Sequence, residues 1–486
     1  MTNRLDIEEG VLRRIGQIAD VAGIPVYAVG GYVRDRLLGR TVTDIDVVVV
    51  GQGVDFARQV AREFGKTNLV VFEKFGTAML PLDDRKIEFV GARRESYRKD
   101  SRKPAVAMGT LVDDLSRRDF TVNAMAASLN RDRFGMLEDP FDGRSDLTRR
   151  LLRTPLDPRV TFDDDPLRIL RAMRFAAQLE FSVDDTVLEA ARAMAERLRI
   201  VSQERISDEF LKVMSSRKPS IGLELMYTTG VLNVVLPEAA QMAGVEQIKE
   251  YHHKDVLRHT FQVVDKVSLA SENVWLRMVA LMHDIAKPRT KAFKEGAGWT
   301  FHGHEEIGAR MVKPIFRRMR LPIEHVKYVE KLVHLHLRPM ALVDEGVTDS
   351  AVRRLLFEAG NDVDDLMILC RADITSKNPR LVEQVRRNYD LVAEKMIEVE
   401  ERDRIRHWQP PLRGEEIMQV CGLAEGPMVG VLKDKVTDAI LDGLIPNDHS
   451  AALTYLLQVK DDVLKKPVVK RRRRTDLGVL GTSGTT

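Results

Sequence analysis

The chain has 486 residues, of which 44% are hydrophobic and 31% charged, as in a globular protein of about three domains and unlike a disordered chain. Its two cysteines, Cys370 and Cys421, exclude a disulfide framework and favour a reducing, cytoplasmic compartment. The sequence predicts neither a signal peptide nor a membrane helix, which would need about 18 consecutive apolar residues. The net charge is only +3, so local basic clusters would have to hold any nucleic acid.

Short β runs alternate with helical patterns in the first part of the chain and nearly disappear after residue 150. The runs Ile24–Val29, Ile45–Val50, Leu69–Phe72 and Lys86–Phe89 predict the strands of a small α/β domain. Apolar residues then recur every three or four positions, which predicts a helical body. We divide the chain into an N-terminal helix (1–23), an α/β head (24–150), a helical neck (151–250), a helical domain (251–378), a C-terminal helical region (379–465) and a basic tail predicted to be disordered (466–486).

Two aspartates follow a glycine pair in the head. Gly30 and Gly31 end the first strand, where the bare backbone lets a phosphate approach and the next helix offers free amides to an anion. Arg34 lies three residues further on and can add a charge-assisted contact. Asp44 and Asp46 are spaced i, i+2 on the next predicted strand, so that both carboxylates point to one face. Such a pair of hard oxygen ligands indicates Mg²⁺, which takes its remaining ligands from water and phosphates.

A second head motif, SRRDFTVNAMA, occupies residues 116–126. Arg117 and Arg118 precede a predicted helical run in which Asp119 and Asn123, spaced i, i+4, share one face. The same pattern is also found in surface helices whose charges are simply solvated. Its function therefore depends on the motifs around it.

The neck contains a helix whose arginines recur every three residues. We predict that it begins at Pro166 with Asp165 as its cap, and that Arg168, Arg171 and Arg174 lie near one face. A carboxylate accepts hydrogen bonds and a guanidinium donates them, so Asp165 and Arg168 together can pair with the Watson–Crick edge of cytosine or adenine. Guanine and uracil present the reverse order, and each mismatch leaves a buried polar group unpaired at a cost of about 1–3 kcal/mol. The pair can thus act as a protein template for C and A.

The head and neck motifs resemble those of the class II CCA-adding tRNA nucleotidyltransferase and bacterial poly(A) polymerase family. The resemblance covers about residues 24–445 and implies a polymerase-β-like α/β head followed by an all-α body. It implies two-metal phosphoryl transfer in which Asp44 and Asp46 hold Mg²⁺ and the nucleoside triphosphate, with Glu88 as the candidate third carboxylate. The implied nucleotide-binding residues are Gly30, Gly31, Arg34, Arg118, Asp119, Asn123, Asp165, Arg168, Arg171 and Arg174.

Nine of the eleven histidines lie between residues 252 and 336, and their order resembles that of the HD-type metal phosphohydrolase domain. The resemblance implies four ligands of one metal, namely His259, His283, Asp284 and Asp373. Such a set suits Mn²⁺, Ni²⁺, Co²⁺ or Fe better than Mg²⁺. His304 and either His334 or His336 would lie near a second metal, and Ala286 replaces the glycine of the common H-D-x-G-K pattern.

The resemblance therefore implies an enzyme that adds or repairs the 3′-terminal CCA of tRNA from CTP and ATP, with release of pyrophosphate. Four alternatives stay open: a poly(A) polymerase, an enzyme that adds only CC or only A, an HD phosphohydrolase with a non-catalytic head, and a non-catalytic RNA-binding protein. Residues 380–465 resemble the family's tail region, which grips the tRNA acceptor arm. For Lys470–Arg474 two interpretations stay open, a weak salt-sensitive contact with the RNA and a solvated tail without a specific role. The oligomeric state and the activity of the HD site are not determined by the sequence.

Overall fold

The computed structural model describes residues 3–73, 76–82, 85–96, 105–249, 252–295, 298–344, 348–375, 378–403 and 408–465. The predicted basic tail at 466–486, with its Lys470–Arg474 run, lies outside these residues. The chain divides into two compact units, Met1–Val333 and His334–Thr486, and each is described by itself. Among the described helices, none combines the length and the apolar character that crossing a membrane requires.

A seven-stranded mixed sheet forms the centre of the head. The strands of this region are β1 (Val26–Val29), β2 (Asp44–Val49), β3 (Val70–Phe72), β4 (Thr77–Pro81), β5 (Lys86–Gly91), β6 (Arg93–Ser96), β7 (Ala105–Met108), β8 (Ala126–Ser128) and β9 (Leu137–Glu138). The sheet has the order β3-β4-β5-β2-β1-β8-β9, while β6 and β7 pair separately. Strands β2 and β5 are parallel, and the other pairs of the sheet are antiparallel. The four predicted strands are confirmed with ends shifted by one or two residues.

Helices of the head pack beside this sheet. They are α1 (Gly10–Ala22), α2 (Gly31–Leu37), α3 (Gly53–Glu63), α4 (Leu111–Ser116) and α5 (Gly143–Arg149). The helical run predicted after Arg118 is wrong, because α4 begins early, at a capping box formed by Thr110 and Asp113. It ends at Ser116, and only a 3₁₀ turn at Thr121–Asn123 separates it from β8, which pairs with β1. Pairing with β1 thus prevails over the local helical pattern.

Seven helices and two very short strands form the neck. They are β10 (Leu151–Leu152), α6 (Pro158–Asp164), α7 (Leu167–Leu179), β11 (Ser182–Val183), α8 (Asp185–Met194), α9 (Gln203–Met214), α10 (Pro219–Thr228), α11 (Val231–Val235) and α12 (Pro237–Ala240). The predicted start of the arginine-bearing helix α7 is shifted by one residue, to Leu167. Asp165 still caps it, because Oδ1 of Asp165 accepts a hydrogen bond from the Leu167 amide at 3.1 Å.

The first unit continues with the helices that carry the histidines and with two hairpins. Their elements are β12 (Glu246–Lys249), β13 (His252–Asp255), α13 (Val256–Ala270), α14 (Val274–Met282), α15 (Lys287–Thr290), β14 (Ala292–Lys294), β15 (Gly298–Thr300), α16 (His304–Arg318) and α17 (Val326–Leu335), of which the last two residues belong to the second unit. Buried Arg277 on α14 donates hydrogen bonds to the carbonyl oxygens of Met214 and Ser216, both at 2.9 Å. This contact ties α14 to the end of α9.

The described part of the second unit is helical. Its helices are α18 (Arg338–Asp344), α19 (Asp349–Ala359), α20 (Val363–Asp373), α21 (Pro379–Asp403), α22 (Gly414–Cys421), α23 (Pro427–Leu441) and α24 (His449–Leu464). Leu412, Ile417, Leu432 and Leu456 form part of its apolar core. The fold class predicted from the sequence, an α/β head followed by a helical body, is thus confirmed, while the finer domain boundaries stay predictions.

Candidate active site

Two carboxylates lie on one face of β2, the central strand of the head sheet. Asp44 is exposed and Asp46 partly buried, with Ile45 turned into the core between them. Glu88 lies beside Asp46, because β2 and β5 are parallel and in register at these two residues. Burial raises the pKa of Asp46, the neighbouring charge of Asp44 adds to this effect, and Arg118 opposes it. A divalent cation would relieve this concentration of negative charge, so the oxygen donors fit Mg²⁺.

The glycine turn places Arg118 against the end of β1. Gly30 has φ 70°, and its amide donates to the carbonyl of Met125 at 3.2 Å. A Cβ at Gly30 would lie 2.6 Å from Nη1 of Arg118, so a side chain would collide with the guanidinium as well as strain the backbone. Arg118 also donates to Oδ2 of fully buried Asp114 at 3.2 Å. The glycine therefore leaves room for this guanidinium beside the turn, and Asp114 orients it.

Buried Asp119 connects the head to the neck helix. Its Oδ1 accepts from the side-chain amide of Asn123 at 2.9 Å, and its Oδ2 accepts from Nε of Arg171 at 2.8 Å. Asn123 in turn accepts from Nη1 of Arg34 at 2.6 Å. Burial alone would raise the pKa of Asp119, but the Arg171 guanidinium and the Asn123 amide hold that pKa below its ordinary value. Asp119 and Asn123 thus interact as predicted, although no α-helix joins them.

Breaking this pair should cost stability in a pH-dependent way. We expect Asp119→Asn to lower the free energy of unfolding at pH 7 by about 3–5 kcal/mol, because Arg171 would lose a buried partner. The pKa of Asp119 is lowered in the folded state, so its stabilisation is present above the unfolded value of about 3.9 and is lost as pH falls through the folded value. Urea unfolding at several pH values measures the difference in free energy of unfolding between wild type and variant. This difference should become smaller in acid.

An exposed pair provides the control for this experiment. Asp163 forms an ion pair with Arg197 and has 64% of its side chain exposed. We expect Asp163→Asn to change the free energy of unfolding by less than about 1 kcal/mol. The buried pair would not be the source of the stability if Asp119→Asn lowered the free energy of unfolding by equally little. The same would follow if its effect did not diminish in acid.

Three arginines surround the ring of Phe175. The guanidinium carbon of Arg174 lies 3.8 Å from the ring centroid, and those of Arg34 and Arg171 lie 5.2 and 5.4 Å from it. Arg174 is buried and donates from Nε to Glu209 on α9 at 2.5 Å. Phe175 thus orders several cations at one place. The sequence identified the arginines but neither Phe175 nor Glu209 as part of the site.

The predicted base-selecting pair is held by contacts on both sides. Oδ2 of Asp165 accepts from Nη2 of Arg205 at 2.8 Å. Arg168 donates to the carbonyl oxygens of Arg117 and Thr161 at 2.6 and 3.3 Å. Asp165 and Arg168 therefore have defined orientations. Arg205 was missed by the sequence reasoning, although its four-residue spacing from Glu209 on α9 places both on one helix face.

Most of the predicted nucleotide-binding residues line one cavity of about 510 Å³. Its lining consists of Gly31, Arg34, Asp46, Arg117, Arg118, Asp119, Asn123, Asp165, Leu167, Arg168, Arg171, Arg174, Phe175 and Arg205. Gly30 and Asp44 are not among the lining residues, but they lie in the turn and strand that carry Gly31 and Asp46. The cavity thus brings a carboxylate of the head and the predicted base-selecting pair of the neck to the same space. It has the size of a small-molecule site.

A second cluster of imidazoles surrounds buried Asp284. Nε2 of His283 and Nε2 of His259 lie 3.2 and 3.8 Å from Oδ2 of Asp284, and Nε2 of His304 lies 3.4 Å from its Oδ1. Nδ1 of His283 and of His304 each contact a backbone carbonyl oxygen at 2.7 Å, which directs Nε2 towards Asp284. Burial alone would raise the pKa of Asp284, but His283 and Lys287 hold it well below its ordinary value.

The remaining predicted ligands belong to the second unit. Asp373 ends α20, and His334 and His336 follow the division between the units, so their part in a metal site stays a prediction. Ala286 has φ −93°, a right-handed conformation that alanine adopts without strain. The replacement of glycine by Ala286 is therefore compatible with the local backbone.

Three family matches follow the order of these structural parts. Residues 26–153 match the Poly A polymerase head domain, residues 180–242 the probable RNA and SrmB-binding site of polymerase A, and residues 256–378 the HD domain. The A-adding tRNA nucleotidyltransferase of Deinococcus radiodurans is 33% identical over 338 residues, which cover 68% of this chain and 75% of that protein. The chain belongs to the tRNA nucleotidyltransferase and poly(A) polymerase family.

A further relative and a solved structure agree with this membership. The Multifunctional CCA protein of Pseudomonas fluorescens is 35% identical over 311 residues, or 62% of this chain and 71% of that protein. The crystal structure of a tRNA nucleotidyltransferase complexed with a primer tRNA and an incoming ATP analog is 27% identical, with a TM-score of 0.57, and the match covers 79% of this chain and 99% of that chain. The family predicted from the sequence is thus confirmed.

Proposed function

We propose that this enzyme adds nucleotides to the 3′ end of tRNA and completes the CCA terminus from CTP and ATP, with release of pyrophosphate. The observation that carries this proposal is the shared cavity. Asp46 enters it from the head sheet, while Asp165 and Arg168 enter it from the neck. Phosphoryl transfer and base selection would then act on a single bound nucleotide.

Asp44 and Asp46 would hold Mg²⁺ in this site, and Glu88 is placed by strand register to assist them. When bound, Mg²⁺ would lower the pKa of the primer 3′-hydroxyl and neutralise charge on the triphosphate. Arg118 and Arg34 line the same cavity and would contact phosphate oxygens. Because Asp114 and Asn123 already contact these two arginines, their cations are oriented before the nucleotide arrives.

Base selection would depend on the defined orientation of Asp165 and Arg168. Both side chains have two protein partners, the Leu167 amide and Arg205 for Asp165 and two backbone carbonyl oxygens for Arg168, which limits the edge that each can present to a base. Cytosine and adenine offer an amino donor next to a ring-nitrogen acceptor, and this order matches one carboxylate and one guanidinium. The pair explains why C and A would be accepted together. It does not by itself distinguish C from A.

One assay separates the nucleotide-adding candidates. Purified full-length protein is incubated with Mg²⁺, each labelled triphosphate and tRNA that lacks CCA, CA or only the terminal A. Incorporation of CTP followed by ATP supports the proposal. Addition of ATP alone to tRNA ending in CC would indicate an A-adding enzyme, and long adenylate tails would indicate a poly(A) polymerase. No transfer of any nucleotide would contradict the proposal.

We propose a second function, metal-dependent phosphoester hydrolysis, at the imidazole cluster around Asp284. His259, His283 and Asp284 would bind Mn²⁺, Ni²⁺, Co²⁺ or Fe, to which the sequence resemblance adds Asp373. This donor set differs from the all-carboxylate set of Asp44 and Asp46. The two sites should therefore select different metals.

Metal content can be changed independently of nucleotide addition. We expect His283→Ala to lower affinity for the transition metal by more than about 100-fold, because a direct ligand is removed. Nucleotide addition in excess Mg²⁺ should stay within about twofold of wild type. Elemental analysis of purified protein measures the first effect. His302→Ala, which removes an exposed histidine near the cluster, is the control; equal metal content in the two variants would contradict the assignment.

A further inference from the structure

The hairpin of β14 and β15 exposes two aromatic rings beside the histidine-bearing helices. Phe293 is 66% and Trp299 36% exposed. They are direct cross-strand partners, with ring centroids 5.3 Å apart in a T-shaped arrangement. The rings lie on a hairpin of two three-residue strands, and part of each ring surface is in water. Such an exposed aromatic pair is a typical feature of a binding surface.

Three cations accompany these rings. Nζ of Lys291 lies 4.4 Å from the centroid of Trp299, and Lys294 and Arg289 are exposed on the same segment. Within the described residues, no ion pair is found for Lys291, Lys294 or Arg289. Glu295 is the acidic residue of the described part of this hairpin. The segment that carries Arg289, Lys291, Phe293, Lys294 and Trp299, here termed the aromatic hairpin, is therefore predominantly basic. Lys291 lies against the ring of Trp299, whereas Lys294 directly follows Phe293 in β14 and so points to the opposite face of the strand.

The combination of exposed rings with unpaired cations matches the chemistry of single-stranded RNA. Bases stack on aromatic side chains regardless of sequence, and phosphates bind lysine and arginine. A stable protein interface buries about 1,200–2,000 Å² and is depleted in lysine at its core, which two rings bordered by cations do not match. We propose that the aromatic hairpin is an RNA-docking surface, on which an unpaired base stacks against Phe293 and Trp299 while a flanking phosphate contacts Lys291. The charges of Lys294 and Arg289 attract the rest of the RNA backbone at longer range.

The fluorescence of Trp299 provides a readout specific to this surface. Trp275→Phe and Trp408→Phe leave Trp299 as the single tryptophan of the full-length chain. We expect a single-stranded RNA octamer, without triphosphate or metal, to quench its emission in a saturable way. Phe293→Leu keeps an apolar side chain but removes the ring, and should weaken the measured affinity by about tenfold. Leu269→Ala, which changes another exposed apolar residue of the same unit, should leave it unchanged.

Salt dependence tests the contribution of the cations. Lys291→Gln should reduce the slope of log affinity against log salt by about 0.7, because one phosphate contact is lost. The proposal is overturned if Trp299 emission does not respond at RNA concentrations that saturate total binding, or if an abasic octamer quenches as well as the normal one. It is also overturned if quenching depends only on protein concentration, which would indicate a second copy of this chain on the hairpin. Because no nucleotide is transferred in this experiment, its result is independent of the proposed transferase activity.

Discussion

Asp46→Asn is expected to lower the rate of nucleotide addition by about three orders of magnitude while the head stays folded. Charge stabilisation by a bound metal contributes several kcal/mol to the transition state, and each 1.36 kcal/mol is about tenfold in rate. Folding should be preserved because Asp46 is not a stabilising anion: burial and Asp44 raise its pKa, and a neutral amide removes that repulsion. Incorporation of labelled CTP into tRNA that lacks CCA, at saturating Mg²⁺, measures the rate, and thermal unfolding measures the fold.

A surface carboxylate of the same domain gives the matched comparison. Asp55 on α3 forms an exposed ion pair with Arg58, so Asp55→Asn makes the same chemical change away from the site. We expect this variant to retain activity within about twofold of wild type. If Asp46→Asn retained more than about a tenth of wild-type activity, Asp46 would not be a metal ligand. If phosphoester hydrolysis were the main activity and survived Asp46→Asn unchanged, the head would not be the principal catalytic domain.

Strands with strong β propensity were predictable from sequence, and weaker ones were not. The run Asp44–Val49 places four valine or isoleucine residues in a buried strand, which gives a clear local signal. The strand Ala126–Ser128 consists of small residues with little β propensity and forms because it pairs with β1. The strand Thr77–Pro81 includes a proline at its end. The strand Ala126–Ser128 depends on a neighbour about 100 residues away, whereas Thr77–Pro81 pairs with the nearby strands β3 and β5, and in neither case does the local pattern indicate a strand.

The same distinction applies to the candidate site. Asp44, Asp46 and the arginines of α7 were identified because their spacing along one strand or one helix already places them on a common face. Arg205 contacts Asp165 across 40 residues. Glu209 contacts Arg174 across 35 residues. These partners are brought together only by the packing of α9 against α7, so one sequence does not connect them.

Base selection provides the second large effect, through Arg168→Ala. We expect kcat/KM for CTP and ATP to fall about 10- to 100-fold, because the base would lose its donor partner. The values for UTP and GTP should change little, since these bases gain nothing from Arg168 in the wild type. Discrimination between the two groups should therefore fall by a similar factor. Competition among all four triphosphates on one tRNA primer measures it directly.

Two further variants separate hydrogen-bond geometry from charge. Arg168→Lys keeps the positive charge but loses the planar fork that donates to the carbonyls of Arg117 and Thr161, so it should restore little discrimination. Arg199→Ala removes an exposed neck arginine paired with Glu196 and should leave all four triphosphates unaffected. If kcat/KM fell equally for all four triphosphates in Arg168→Ala and recovered in Arg168→Lys, Arg168 would supply only positive charge. Selection of C and A would then have to arise from other residues of the cavity.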